Sequence, residues 1–171
     1  MAEGSPDLVD YLRLAEDAQV IERVYELAQL PRLQDVLAEP KGTLSARFAF
    51  WRARSGRAGA SVAIRAEPWL TCQRCMQGFA FPVQSGSEVE FAADEEAAAA
   101  DTQREIFRTD GRWVRLRDLA EEELLLALPI IAACSTPQSC AKAPSFAAQG
   151  AQESDGMRRP FSGLQDLLKK P

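Results

Sequence analysis

Apolar and polar positions alternate along the middle of the chain. In "GTLSARFAFWRARSGRAGASVAIRAEPWLT", Leu44, Ala46, Phe48 and Phe50 are interleaved with small or polar residues, and Val62, Ile64 and Ala66 repeat the pattern after "SGRAG". A period of two predicts two strands with one buried face, and the glycines between them permit the backbone angles of a hairpin. "FAFPVQ" and "SEVEF" add two further candidates through Phe79, Phe81, Val83, Val89 and Phe91, which together predict an antiparallel meander.

The pattern differs on either side. Ile21, Val24, Leu27 and Leu30 fall at three-residue spacing, and Leu33, Val36 and Leu37 follow Pro31. That spacing predicts one or two amphipathic helical stretches over 21–37, with Pro31 starting a second helix or kinking the first; a strand followed by a loop around residues 8 to 25 is the alternative. "EIFRTDGRWVRL" predicts two short strands around the Asp110-Gly111 turn, and "RDLAEEELLLALP" a helix with acids near its positive end and Pro129 beyond its close. The fold class expected is α+β: an antiparallel sheet, a meander with barrel-like closure as one form of it. An N-terminal helical segment, one helix after the last hairpin and a C-terminal docking segment complete it.

"ADEEAAAAD" reads as a surface loop or short exposed helix. Beyond Cys140 the chain turns to Ala, Gly, Ser and Gln, which predicts a single domain over 1–140 and a mobile linker with a short amphipathic segment over 141–171. Pro160, Phe161, Leu164, Leu167 and Leu168 in that segment are candidates for docking, on the domain or on a partner.

Composition narrows the class. With 171 residues, 46% of them apolar and 26% charged, the chain suits one soluble domain with its own core. The acidic start "MAEGSPDLVD" lacks a secretory signal, and the apolar run from Leu124 to Cys134 is interrupted by Pro129 and falls well short of the roughly 20 residues that span a membrane. The expectation is a cytoplasmic protein with no membrane partner.

The net charge of −5 argues against a uniformly basic nucleic-acid binder, yet charge is segregated. Between Lys41 and Cys75 stand Lys41, Arg47, Arg52, Arg54, Arg57, Arg65 and Arg74 against Glu67 alone. The six arginines are candidate phosphate contacts, because guanidinium grips phosphate bidentately, and Trp51 and Trp69 offer stacking surfaces. A solvated strand face paired with acidic loops explains the same charges.

Candidate chemistry centres on "TCQRCMQGF". Cys72 and Cys75 have the two-residue spacing at which one tight turn presents two thiolates to one ion, between two strands. Cys134 and Cys140, separated by "STPQS", are the other two cysteines; with no histidine in the chain, a complete four-ligand site requires all four. The looser second spacing leaves open that only the first pair is organised, or that neither binds metal. A redox motif of the thioredoxin kind opens a helix after a strand, whereas this one lies between strands. Histidine-activated cysteine and serine nucleophiles are excluded by composition, and no phosphate-binding glycine loop is present. Glu121 to Glu123 read as a solvated helix face rather than paired catalytic acids.

These residues, taken in order, resemble a known family. "LTCQRCMQGF", then "LAEEELLLALPIIAAC" with Cys140, then "RRPFSGLQDLLK" are similar to the YceD family of large-subunit ribosomal RNA accumulation proteins of bacteria and plastids. Cys134 stands where many relatives carry histidine, and Arg159 where asparagine is common. Since cysteine and histidine interchange as zinc ligands, the resemblance implies a structural zinc held by Cys72, Cys75, Cys134 and Cys140, although four thiolates also suit iron. It further implies a non-enzymatic factor promoting large-subunit rRNA accumulation, without a small-molecule substrate, that binds precursor rRNA or an assembling large subunit. A protein-protein adaptor for a ribosomal protein or assembly factor is the main alternative, and a thiol redox protein the other.

Overall fold

The computed structural model describes residues 7–54, 56–92, 105–135 and 140. In chain order these form β1 (Leu8–Asp10), α1 (Tyr11–Glu16), β2 (Val20–Glu26), two 3-10 turns (Leu27–Gln29 and Pro31–Leu33), β3 (Thr43–Arg52) and β4 (Ala58–Ala66). There follow β5 (Trp69–Thr71), β6 (Gly78–Ala80), β7 (Val83–Ala92), β8 (Glu105–Arg108), β9 (Trp113–Arg115) and α2 (Leu116–Ala127). The class is α+β. The main sheet has the order β2-β3-β4-β7-β8, and two small ribbons, β1-β9 and β5-β6, stand beside it.

The strongest alternation makes the longest ladder. Along β3, Leu44, Ala46, Phe48 and Phe50 are buried, and opposite them on β4 lie Ala66, Ile64, Val62 and Ala60. The β3–β4 turn closes with Gly56 at φ +88°, and Ala53 and Arg57 joined across it by a 2.8 Å backbone hydrogen bond. Helices α1 and α2 cover this apolar face, α1 against β3 and β4, α2 against β4 and β7. Phe91 links the layers, with ring centroids 4.6 Å from Tyr11 and 6.2 Å from Phe50. The opposite face, carrying Glu22, Ser45, Arg47, Ala63, Arg65 and Gln84, has no covering layer among the described residues.

The helix expected over 21–37 is instead a strand and two 3-10 turns. β2 pairs with β3 from Val20↔Ala49 to Glu26↔Thr43, so the N-terminal helix falls earlier, at α1. The edge of β3 rewards seven residues of pairing, and Val24, which the spacing had placed on an apolar stripe, is 67% exposed. The three-residue spacing was nevertheless real: Leu27, Leu30 and Leu33 are fully buried, because a 3-10 turn has a period of three and stacks positions i and i+3.

The sheet remains open rather than closing into a barrel, with β2 and β8 as its edges. The strands around Asp110-Gly111 form where expected but find separate partners: β8 runs parallel to β7, and β9 pairs with β1. The stretch "ADEEAAAAD" and all of 141–171 lie outside the described residues, so the expected docking segment does too.

α2 begins against Asp7, whose carbonyl accepts from the Leu116 N–H at 3.0 Å and whose carboxylate accepts from the Arg117 N–H at 3.1 Å. A carboxylate there complements the helix dipole. The acids that follow are not a solvated face. Glu121 is buried and accepts from the Arg32 N–H at 2.7 Å, satisfying the second 3-10 turn; Glu122 pairs with the Arg32 guanidinium. Glu123, also buried, accepts from Ser85 Oγ at 2.6 Å and from Ser87 Oγ. Successive helix positions lie about 100° apart, so three adjacent acids reach three different groups.

Candidate metal centre and the arginine positions

The ribbon β5-β6 projects a tight turn over residues 72–77. Its ends are tied by the Cys72 N–H to the Gln77 carbonyl at 2.9 Å, and its centre by the Met76 N–H to the Cys72 carbonyl at 2.8 Å. Met76 takes a positive φ of 59° to close the turn.

The chain leaving α2 packs onto this turn. The Gln73 N–H donates to the Ala132 carbonyl at 2.9 Å, the Cys134 N–H to Cys72 Sγ at 3.4 Å, and the Arg74 guanidinium to the Cys134 carbonyl. All four sulfurs consequently lie within 4.8 Å of one another. Cys72, Cys75 and Cys134 are buried and Cys140 is half-buried; none is in a disulfide.

A Zn–S bond of 2.3 Å places tetrahedral sulfurs about 3.8 Å apart. Here Cys72–Cys140 and Cys75–Cys134 are 3.9 and 4.0 Å, while Cys134–Cys140 is 2.9 Å, well beyond an S–S bond of about 2.0 Å. Two of these separations match the tetrahedral edge and the third is shorter, so the four sulfurs are close enough that together they could hold one thiophilic ion.

The electrostatics are uneven. Backbone N–H groups of Cys134, then Cys75, hold the Cys72 thiol down to about 5, whereas hydrogen bonding to the Cys134 thiol and burial push Cys140 up to about 12. The Arg74 guanidinium is shifted upward, mainly by the Coulomb field of Cys140. A redox thiol is ordinarily part-exposed, and Cys72 is fully buried.

The six arginines, close in sequence, are spread over three places. Arg47 on β3 and Arg65 on β4 lie exposed on the open sheet face. Arg52, Arg54 and Arg57 cluster at the hairpin end, about 17 Å along β3 from Arg47 at roughly 3.4 Å per residue. Arg74 sits on the cysteine turn. Several already face carboxylates: Arg47 with Glu22 at 3.5 Å, Arg52 with Glu16 at 3.0 Å, and Arg57 with Glu90 at 3.4 Å. Among the described residues, Arg54 and Arg65 make no ion pair.

Sequence reasoning missed Arg74 as a brace of the cysteine loop, although its place between Cys72 and Cys75 was the available signal. Lys41, counted in the basic strip but not among the candidate contacts, has its Nζ 3.6 Å from the centre of the Trp69 ring and 2.9 Å from Glu39. Pro160, Phe161, Leu164, Leu167 and Leu168 lie outside the described residues.

The fold and site define a small α+β protein with one open sheet face and a four-cysteine cluster pinning a helix exit to a strand ribbon. Residues 60–168 match the family model described as large ribosomal RNA subunit accumulation protein YceD, more than half the chain, and the chain belongs to that family. No curated protein matches it, and no solved structure does. Among the described residues, no helix is long and apolar enough to cross a membrane.

Proposed function

We propose that this chain is a non-catalytic factor that promotes accumulation of large-subunit ribosomal RNA by binding precursor rRNA or an assembling large subunit in the cytoplasm. The observation that carries this reading is the family match over residues 60–168. Zinc bound by Cys72, Cys75, Cys134 and Cys140 has a structural role in it: the ion supplies the positive charge that four clustered thiolates need and fixes the exit of α2 to the β5-β6 ribbon.

RNA meets the open sheet face through Arg47 and Arg65. Their neighbours Ser45, Ala63 and Gly86 are short, which leaves the guanidinium groups standing clear of a shallow surface. Sheet faces are among the recurrent platforms for single-stranded RNA. The hairpin arginines Arg52, Arg54 and Arg57 form a second possible contact, and the paired double variants separate the two. Arg47→Glu with Arg65→Glu is expected to weaken retention of precursor rRNA and flatten the plot of log affinity against log salt by about 1.4, at roughly 0.7 per phosphate contact. Unchanged affinity and slope remove this face, and the same result for Arg52→Glu with Arg54→Glu removes the hairpin.

The carboxylates opposite Arg47, Arg52 and Arg57 favour a second reading, in which the protein is an adaptor and its effect on RNA passes through a ribosomal protein or assembly factor. An adaptor retains its protein partner after ribonuclease treatment and loses no affinity in the arginine variants.

A further inference from the structure

Two shallow grooves meet on the open sheet face. One crosses the sheet over Arg47, Ser45 and Arg65, and the other runs off its end from Ser45 and Arg65 to Lys41, Trp69 and Pro82. Because Ser45 and Arg65 line both, the two form one track with Arg65 at the junction. Arg65 lies directly opposite Ser45 in the β3–β4 ladder, and Arg47 is two residues further along β3. The two arginine Cα atoms are thus about 8 Å apart, from roughly 4.8 Å between strands and 3.4 Å per residue. Four cations, Arg23, Lys41, Arg47 and Arg65, line the track against Glu22 and Glu67. Trp51 lines neither groove; it lies over Gly59 at the hairpin end, where a Cβ would fall 2.5 Å from its ring.

We infer that the track binds single-stranded RNA, with neighbouring phosphates on Arg47 and Arg65 and a base stacked on the Trp69 indole in place of Lys41. This rests on the RNA reading above and adds to it the form of the ligand and a contact with its bases. The Trp69 backbone is fixed by pairing with Ala80 on β6 and by the Ala38 N–H, which donates to its carbonyl at 2.8 Å. Its ring carries the Lys41 Nζ 3.6 Å from the ring centre, and that ammonium also pairs with Glu39 at 2.9 Å. The Lys41 and Glu39 side chains are both about half exposed, so this ring face is approached from solvent and covered by one flexible chain. An exposed cation–π contact is weaker than base–aromatic stacking, so a base displaces the lysine. Duplex RNA offers no such base, because its bases are already stacked on one another; unstacked bases belong to single strands.

Fluorescence anisotropy of a labelled oligouridylate of about ten nucleotides, with the full chain as purified, tests the inference. Trp69→Leu is expected to weaken binding about tenfold without changing its salt dependence, and Trp69→Phe to restore most of the loss. Arg65→Glu is expected to flatten the plot of log affinity against log salt by about 0.7. A base-free ribose-phosphate chain of the same length is expected to bind the wild type about tenfold more weakly than the oligouridylate, and to bind Trp69→Leu as it binds the wild type. Annealing the oligouridylate to its complement is expected to weaken its binding. Equal affinity of Trp69→Leu and wild type, equal affinity for the base-free chain, or a duplex bound as tightly as the single strand each overturns the inference. If the arginine variants still lose affinity in that case, the proposed RNA function survives; if the wild type binds RNA in neither form, both fall. Should Trp69→Leu disturb the β5-β6 ribbon, the base-free chain on the unaltered protein decides.

Discussion

The five-stranded sheet and the β5-β6 ribbon are both β structure, yet different forces hold them. β3 and β4 pair over nine positions and bury Phe48, Leu44, Ile64 and Val62 under two helices. β5 and β6 pair over three, and the small cluster around their turn consists of Cys72, Cys75 and Cys134, with Phe79 and Cys140 packed against it. A two-stranded ribbon of that length is not stable alone in water. Apolar burial is spread over many side chains and degrades gradually, whereas an ion held by the four cysteines, as proposed, would concentrate the ribbon's stabilisation in one place and fail as a unit.

The comparison breaks most clearly on metal removal. Structural zinc contributes roughly 10–16 kcal/mol of apparent binding free energy in small domains. Chelation, or Cys75→Ser, is therefore expected to abolish hydrogen-exchange protection over 69–80 and 131–135 while β3, β4 and β7 stay protected. Simultaneous loss of both regions refutes the division. Next in size is Phe48→Ala in the fully buried core. A cost of about 3–5 kcal/mol is expected in urea unfolding, with one ion per chain still bound by elemental analysis of the folded protein.

The smallest effect sits at Asp10, which caps α1 by accepting from the Arg13 N–H and pairs with Arg112. The Arg112 hydrogen bond holds its carboxyl below the ordinary value of 3.8. A lowered folded value stabilises the native state fully above 3.8, and that contribution disappears as pH falls through the folded value. Asp10→Ala is expected to cost about 1 kcal/mol at neutral pH, and the wild-type and variant urea midpoints to converge below about pH 3.8. The protection of the cysteine turn should not change in this variant.

What was legible in the sequence is what local periodicity encodes. The alternation through Leu44 to Phe50 and Val62 to Ala66 specified β3, β4 and the buried face, because a strand's two faces have fixed parity. The acids and Pro129 marked α2. The helix proposed over 21–37 failed because a spacing of three suits a 3-10 turn as well as an α-helix, and only the unsatisfied edge of β3 distinguishes a strand over 20–26. Glu121 and Glu123 gave no sign of burial, since their partners Arg32, Ser85 and Ser87 lie 36 or more residues away in sequence.

The same division runs through the candidate site. The sequence by itself determined the ligand chemistry: four thiols, no histidine, and one pair at the spacing of a tight turn. Tertiary structure decided that Cys134 and Cys140 come to that turn, where the Gln73 N–H meets the Ala132 carbonyl and the Cys134 N–H meets Cys72 Sγ, contacts that no spacing rule contains. It also separated arginines adjacent in sequence onto a sheet face, a hairpin end and the cysteine loop. Residue type and parity are local properties of the chain, whereas juxtaposition depends on how the sheet and helices pack, and only folding supplies it.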